Sequence, residues 1–256
     1  MRVVILHNEV PPEASAADAD VLEQVRAVAG WLAHLGHESV AAPCTLDLPR
    51  VETALRKLAP DAVFNLVESL GGSDLRQHLA PALAFRLGIP CTGVPAESMY
   101  LTTHKLLAKT RLARAGLPTP DWIGPGAFAS GRSKAGQGSY IIKAVGEHAS
   151  LGLDDAAVTT FASREHLERE VARRSRRWGR PYFAERFVEG REFNLSVLDG
   201  PHGPEALPPA EIDFTAYPLD KPRIVGYEAK WAAASFEYAN TPRRFDFAAS
   251  DRYYLL

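Results

Sequence analysis

The stretch YIIKAVGEHASLGL, residues Tyr140–Leu153, places a lysine inside an apolar run and follows it with a loop of small residues. The run Tyr140–Val145 is short and rich in β-branched and aromatic residues, which predicts a buried strand. Lys143 must then either snorkel to solvent or find a counter-charge, because an unpaired buried ammonium destabilises a fold or loses its proton. The loop Gly146–Gly152 offers backbone N–H groups and the Ser150 hydroxyl to an anion. A bound phosphate would account for both the lysine and the loop.

Composition and charge exclude several classes of protein. The chain has 256 residues, 46% of them hydrophobic, which suffices for one large domain or two to three smaller ones. Its formal net charge of -2 gives no electrostatic basis for binding nucleic acid or an anionic membrane. There is no apolar run of about 18 residues and no signal-peptide core, so we expect no membrane span and a cytoplasmic location.

The cysteines and histidines form no metal-binding pattern. Cys44 and Cys91 lie far apart in the sequence, and the eight histidines form no His-Glu-x-x-His motif. We therefore expect no zinc site built by the protein, and we interpret both cysteines as buried small residues in a reduced protein.

Strand and helix signals alternate along the first 100 residues. The predicted strands are Val3–Leu6, Glu38–Ala42 and Ala62–Val67. The predicted helices are 20–35, which starts with Asp20 as N-cap and Glu23 in a capping box, then Val51–Leu58 and Gln77–Leu87. This alternation predicts an α/β unit with an open, mainly parallel sheet. The turn after the first strand, residues 7–12, lacks the glycine-rich fingerprint of dinucleotide-binding folds.

The second half shows strands and helices without strict alternation, which predicts an α+β unit. Its predicted helices are Leu101–Ala115 and Arg164–Arg177, and a polar loop covers Ser130–Ser139. Its predicted strands are Tyr140–Val145, Tyr182–Val188, Glu192–Leu198 as the hairpin partner of the preceding strand, Glu211–Phe214 and Ile224–Trp231. Glu165/Arg169 and Glu170/Arg174 fall at i,i+4, so the arginine-rich helix is interpreted as a solvated face and not a nucleic-acid patch.

Four segments follow one another in a recognisable order. They are Thr103–Lys105 leading into Gly116–Pro120, Ile142–Gly152, Glu185–Phe193 and Tyr227–Trp231. Together they resemble the ATP-grasp ligases, most closely the D-alanine–D-alanine ligases, and the similarity runs from about Phe64 to Phe245. The resemblance implies an α/β domain over residues 1–100 and an ATP-grasp nucleotide-binding domain over residues 101–256, incomplete at its C-terminus.

The resemblance implies a phosphate-binding group of residues. Lys105, Lys143 and Lys230 would contact the phosphates of ATP as point charges. The loop Glu147–Gly152 would close over the triphosphate, with the Ser150 hydroxyl donating to it. Of these, Lys143, Ser150 and Lys230 are the candidate catalytic residues. Taken one at a time, the three lysines also fit surface positions, on a strand edge, on a helix or beside an aromatic ring.

The resemblance also implies an adenosine-binding group. Glu185 would accept from the adenine amino group, and the backbone around Arg186 and Val188 would meet the ring edge. Glu192 would hold the ribose hydroxyls, because two carboxylate oxygens suit a vicinal diol. In isolation, Glu185 and Glu192 also fit the outward positions of a hairpin.

The sequence departs from the family where the amino-acid substrate is expected to bind. The family has an N-terminal Gly-Gly-x-Ser motif and a glutamate for the substrate ammonium, whereas this chain offers only Glu9 there. Glu68 and Ser69 stand where the family has the His-Gly of its His-Gly-x-x-Gly-Glu-Asp-Gly stretch. Glu9, Glu68 and Ser69 are the candidate substrate residues, in a pocket that differs from the D-alanine pocket.

The family's metal ligands have no counterpart in this sequence. ATP-grasp enzymes hold Mg²⁺ with an Asp followed by Glu-x-Asn, and the sequence up to Leu256 contains no such pair. We therefore assign no metal ligands, although the family uses ATP with Mg²⁺. The chain is interpreted either as a truncated product, which the intact Lys230 segment favours, or as a natural variant without catalysis.

The predicted function is an ATP-dependent carboxylate–amine ligase that acts through an acyl phosphate and releases ADP and phosphate. Its partners would be amino acids or other small carboxylates and amines, and a homodimer is compatible with the resemblance. Two alternatives stay open: a non-catalytic nucleotide-binding or regulatory module, and a two-domain solute-binding protein.

Overall fold

A parallel sheet of three strands begins the chain, with β1 (Arg2–Asn8) between β2 (Glu38–Cys44) and β3 (Ala62–Leu66). The computed structural model describes residues 1–125, 137–150, 152–246, 248, 250 and 251. Because β1 is the central strand and is covered on both faces, its residues 3–8 are all buried, as expected for a parallel sheet. The predicted α/β arrangement of this part is confirmed.

Five helices accompany and follow this sheet: α1 (Ala16–His34), α2 (Leu48–Leu58), α3 (Leu79–Arg86), α4 (Ala96–Thr103) and α5 (Lys105–Arg114). The predicted N-cap of the first helix is wrong. The N-cap is Ser15, five residues earlier, because the Ser15 hydroxyl accepts from Asp18 N at 3.2 Å and so satisfies a free amide of the first turn.

The single helix predicted over Leu101–Ala115 is also wrong, because the chain breaks it at His104. That residue leaves the helical region with ψ 92°, and its Nδ1 accepts from Leu107 N at 3.2 Å to cap α5. Lys105 N donates instead to Val145 O at 3.0 Å, at the end of the strand predicted over Tyr140–Val145. The break thus directs the Lys105 side chain toward that strand.

A four-stranded antiparallel sheet lies in the second half, with the strands in the order β4 (Trp122–Ile123), β7 (Tyr182–Arg186), β5 (Gly138–Ala144) and β6 (Val158–Phe161). Helix α6 (Arg164–Trp178) covers one face and buries Leu167 and Val171 against Tyr140 and Tyr182. The predicted ion pairs of its outer face are confirmed, with distances of 2.6 Å for Arg169–Glu165 and 3.0 Å for Arg174–Glu170.

The hairpin predicted between the strand at Tyr182 and residues 192–198 does not form. Both edges of β7 are already paired, with β4 and β5, so no edge is free for a hairpin partner. Instead, β8 (Glu192–Asn194) pairs with β11 (Ala210–Ile212), which also pairs with β12 (Arg243–Arg244), and β9 (Val197–Gly200) pairs with β10 (Gly203–Ala206).

The strand predicted over Ile224–Trp231 does not form: residues 224–226 are irregular, and the rest is the short helix α7 (Tyr227–Trp231), followed by α8 (Phe236–Ala239). The residues Glu228, Ala229 and Lys230 are good helix formers, and Gly226 precedes them in an extended conformation that starts the helix. Lys230 therefore approaches the site from a helix.

Some predicted features fall outside the described residues. These include most of the polar loop Ser130–Ser139, residue Leu151 in the loop after β5, and the last five positions of the chain. No helix in the described ranges combines the length and the apolar composition that crossing a membrane requires.

Candidate functional site

A cavity of about 370 Å³ lies between the antiparallel sheet, the start of α5, the loop after β5 and helix α7. All nine positions assigned to nucleotide binding line this cavity: Lys105, Lys143, Glu147, Ser150, Glu185, Arg186, Val188, Glu192 and Lys230. The fold thus gathers residues from four separate segments of the sequence. Their contacts with a nucleotide stay a prediction.

Glu185 is the anion that pairs with Lys143. Lys143 Nζ lies 2.5 Å from Glu185 Oε1, and Lys109 Nζ lies 2.8 Å from Oε2 of the same carboxylate. Burial alone would raise the pKa of Glu185, but the charges and hydrogen bonds of Lys143 and Lys109 outweigh it and lower that pKa. The counter-charge expected for a lysine within a buried strand is therefore Glu185, which lies on the neighbouring strand β7.

Lys109 is a site residue that the sequence reasoning missed. It is only 6% exposed, and besides Glu185 it donates to Thr119 Oγ1 at 2.8 Å and lies 5.1 Å from the centre of the Trp122 ring. The available signal was its spacing, one helical turn after Lys105 on the same helix, which places both lysines on one face.

Lys105 donates through Nζ to the backbone carbonyl of Glu147, at the start of the loop after β5. The pKa of Lys105 is lowered to about 8, chiefly by burial; the charge of Lys143 also lowers it, while Glu147, Asp74 and Glu185 oppose the shift. A second anchor holds the loop from the other side, because His148 N donates to Asp74 Oδ2 at 2.9 Å.

Ser150 adopts a left-handed conformation with φ 62°, which is uncommon for a residue other than glycine. Its hydroxyl donates to Val225 O over 3.4 Å, a long bond that a ligand oxygen can replace. Backbone strain of this kind persists only where surrounding contacts impose it, and it is frequent at ligand-binding loops.

Helix α7 closes the cavity on the side of the loop. Lys230 Nζ donates to His148 O at 3.1 Å, and Trp231 Nε1 donates to Ala149 O at 2.9 Å. The docked helix brings a third lysine to the cavity, so its lining, as far as the chain is described, includes five cations together with Arg186 and Arg223.

The candidates for binding adenosine lie at the C-terminal end of β7 and in the segment that follows it. Arg186 N donates to Asp121 O at 2.8 Å, whereas Val188 N has no hydrogen-bond partner among the described residues, and its residue is 68% exposed. Glu192 is half-buried; burial raises the pKa of its carboxyl, and Lys143 and Lys230 oppose that rise. An unpaired backbone N–H and a nearby carboxylate are the groups that a purine edge and a ribose diol require.

The candidate substrate residues separate in the structure. Glu68 and Ser69 line a second cavity of about 470 Å³, and this cavity shares His148 with the first. Glu9 is not among the described residues that line either cavity.

The described residues do not fit a magnesium site. They contain no group of three or more His, Cys, Asp or Glu side chains placed to hold a metal ion. Of the three carboxylates in the first cavity, that of Glu185 is already held by two lysines.

No protein-family profile matches the chain. The chain is 30% identical over 229 residues to a D-alanine–D-alanine ligase of Moorella thermoacetica, covering 87% of this chain and 69% of that protein. It belongs to the D-alanine–D-alanine ligase family. A second member, from Aquifex aeolicus, is 28% identical over 241 residues, which cover 93% of this chain and 73% of the relative.

Solved structures of the family share the fold. The D-alanine–D-alanine ligase of Bacillus anthracis, solved in complex with ATP, superposes with a TM-score of 0.63 at 17% identity. The match covers 98% of this chain and 72% of that structure, so both sheets take part in the similarity.

Proposed function

We propose that this chain binds ATP in the 370 Å³ cavity and uses it to join a carboxylate to an amine. The observation that supports the proposal is the convergence of five cations and one strained serine loop on a single cavity. Family membership supports the reaction class, because the relatives at 28–30% identity are D-alanine–D-alanine ligases.

The phosphate end of the proposed nucleotide lies between Lys105, Lys143 and Lys230. Each ammonium now donates to a protein oxygen, namely Glu147 O, Glu185 Oε1 and His148 O. Phosphate oxygens would compete for these donors, and charge-assisted hydrogen bonds to them are about twice as strong as neutral ones. The Ser150 hydroxyl would turn from Val225 O to the same group.

The adenosine end lies along β7 and the segment after it. Val188 N would donate to the purine edge, and Glu192 would accept from the ribose hydroxyls. Glu185 was predicted to accept from the adenine amino group, and its two lysine partners give it a second role, which is to orient Lys143.

In the proposed reaction, a substrate carboxylate oxygen attacks the γ-phosphorus of ATP and the bond to the β,γ-bridging oxygen breaks, which releases ADP. An amine then attacks the carbonyl carbon of the acyl phosphate, a C–N bond forms, phosphate leaves and the amine loses a proton. The three lysines would neutralise charge on the phosphoryl group as it transfers. Magnesium is general in the family, but the described residues contain no group of His, Cys, Asp or Glu side chains placed to hold it.

The proposed domain division assigns residues 1–100 to an α/β domain and residues 101–256 to an ATP-grasp domain. Helix α4 (Ala96–Thr103) runs across that point, so we place the junction at His104, where α4 ends and α5 begins. Small carboxylates and amines are the proposed partners, and a homodimer is compatible with this arrangement.

The test is ATP-dependent ADP release, measured with pairs of amino acids, alongside calorimetric binding of ATP to the same preparation. Amide product and stoichiometric ADP are expected with at least one pair. ATP binding without ADP release for any pair would instead favour the nucleotide-binding module. Failure to bind ATP would overturn the proposal.

A further inference from the structure

The loop after β5 contacts a short turn that belongs to the first 100 residues. This turn comprises residues 74–77 and begins with one turn of helix at Asp74–Arg76. Three of its side chains meet the loop, namely those of Asp74, Leu75 and Gln77. The loop also accepts hydrogen bonds from Lys105 of α5 and from helix α7, so elements from both halves of the chain hold it.

One peptide group of the loop is held at both of its ends. His148 N donates to Asp74 Oδ2 at 2.9 Å, and the carbonyl oxygen of Glu147, in the same peptide group, accepts from Lys105 Nζ. A trans peptide group is planar, and its N–H and C=O point in opposite directions. Asp74 and Lys105 therefore lie on opposite sides of this group. Holding the N–H with Asp74 fixes the direction of the carbonyl that Lys105 contacts.

The charges of Asp74 and Lys105 also act on each other across this peptide group. Burial raises the pKa of the Asp74 carboxyl, and the hydrogen bond from His148 and the charges of Lys105 and Arg180 oppose that rise. In return, Asp74 is one of the carboxylates that oppose the lowering of the Lys105 pKa. Hydrogen bonds linked in this way polarise one another, so the contacts at the two ends of the peptide group support the same geometry.

Packing fixes the loop two residues earlier. A Cβ added at Gly146 would overlap the end of the Leu75 side chain. Gly146 is not among the glycines with a positive φ, so the close approach of Leu75, and not the backbone conformation, calls for a glycine here. The turn thus contacts the loop through a hydrogen bond and through a tight van der Waals contact.

The turn is itself well anchored. Leu70 and Ser73 exchange backbone hydrogen bonds of 3.2 and 3.3 Å just before it, and Leu70 is 1% exposed in the core beside the parallel sheet. Gln77 Nε2 donates to Thr103 Oγ1 at 2.6 Å, two positions before Lys105. The turn is therefore connected to the core on one side and to the start of α5 on the other, which makes it a suitable support for a mobile group.

We propose that Asp74 is a positioning residue for the first cavity: by holding the His148 N–H, it orients the peptide group whose carbonyl directs Lys105. Asp74 is not among the described residues that line this cavity, so it acts through the loop and not on the nucleotide. The inference rests on the proposed function, because its consequence is measured on ATP. It adds that the phosphate end of the site is formed only when the first 100 residues hold the loop.

The test compares Asp74→Asn with Asp74→Leu. Both variants lose the charge and keep nearly the same shape, but only asparagine keeps an oxygen that can accept from His148 N. By calorimetry, Asp74→Leu should bind ATP about tenfold more weakly than Asp74→Asn, the factor of one hydrogen bond. Asp61→Leu is the matched control and should bind ATP as the wild type does, because Asp61 Oδ2 accepts a backbone N–H, from Arg2 at 2.7 Å, outside the lining of the cavity.

The packing contact allows a rescue experiment. Gly146→Ala should weaken ATP binding several-fold, because the new Cβ displaces the loop from Leu75. Adding Leu75→Ala removes the atoms that the Cβ would meet, so the double variant should regain most of the affinity. A double variant that binds no better than Gly146→Ala would contradict a loop position set by the turn.

Hydrogen exchange of the His148 amide, followed by NMR without nucleotide, tests the contact independently of ATP. Slow exchange is expected in the wild type and in Asp74→Asn, and faster exchange in Asp74→Leu. Equal ATP affinities of the two Asp74 variants, with different exchange rates, would overturn the positioning role and leave the nucleotide proposal intact. A wild type with slow exchange that fails to bind ATP would overturn the proposed function, and with it the role of Asp74 in that function.

Discussion

Lys109 and Glu185 form a buried ion pair between helix α5 and strand β7, with 2.8 Å between Nζ and Oε2. The two side chains are 8% and 15% exposed, and they lie 76 positions apart in the sequence. The other oxygen of Glu185 holds Lys143, so one carboxylate joins a structural lysine to a lysine of the cavity. Because Lys109 keeps Glu185 ionised and in place, it acts as a positioning residue for Lys143.

Replacing Lys109 with methionine should destabilise the protein. Glu185 would keep only Lys143 as a charge partner, and losing one hydrogen bond to a buried charged group should lower the free energy of unfolding by about 1.5–3 kcal/mol. Urea denaturation measures the difference. Glu165→Gln, which breaks an exposed ion pair with Arg169, is the control and should change stability by less than about 0.5 kcal/mol. Equal stabilities for both variants would contradict the buried pair.

The lysines of the cavity should each contribute to ATP binding. Lys143→Ala and Lys230→Ala remove charge-assisted contacts of about 1.5–3 kcal/mol, so each should weaken ATP binding at least tenfold. Isothermal titration calorimetry gives the affinities. Lys57→Ala, at an exposed position of α2, is the matched control. Unchanged affinity in both cavity variants would remove the phosphate assignment.

Glu185→Gln distinguishes two roles for this side chain. If Glu185 mainly orients Lys143, the variant should lose affinity for ATP and GTP by the same factor, because phosphate binding is common to both. If it accepts from the adenine amino group, the preference for ATP over GTP should fall. The two ion pairs of Glu185 lead us to expect the first result. Competition binding with both nucleotides measures the ratio.

ATP affinity should decrease as the pH rises above about 8, since burial lowers the pKa of Lys105 to that value. Below this pH Lys105 is an ammonium that attracts phosphate, and above it the neutral amine does not. The affinity should continue to fall until the pH passes the higher pKa that Lys105 has beside bound phosphate. Titrations between about pH 7 and 9 test this, and Lys105→Met should lose the dependence. A wild-type profile that matches the variant's would contradict the assignment.

Gly226→Ala should displace helix α7. A Cβ at residue 226 would lie 2.5 Å from Leu153 O, a backbone atom that cannot move alone. We expect a loss of about 1–3 kcal/mol in stability and weaker ATP binding, because α7 carries Lys230. Gly30→Ala in α1 has no neighbour within 4 Å and should stabilise the helix by about 0.5–1 kcal/mol. Melting temperatures that move in the same direction for both would contradict this contact.

Local patterns in the sequence were sufficient for the three strands of the parallel sheet and for β5 and β7 of the antiparallel sheet, whereas β4 and β6 were not predicted. Tyr140–Val145 was predicted as a strand because β-branched residues favour strands, and the structure forms β5 (Gly138–Ala144) at this position. Helix ends were less predictable, because Ser15 and His104 each supply a cap that competes with the pattern of apolar residues around them. The order of four short segments was enough to identify the family and the positions that line the first cavity.

The sequence by itself determined which residues have the chemistry for the site, since that information lies in residue type and local spacing. The tertiary structure decided their partners. Lys143 lies 42 positions from Glu185, and Gln24 lies 44 from Glu68. Such pairs depend on which strand edges are free and how helices dock, as in the pairing of β8 with β11. Contacts between distant segments leave no periodic signal in the chain, so the roles of Lys109 and Asp74 emerged only from the fold.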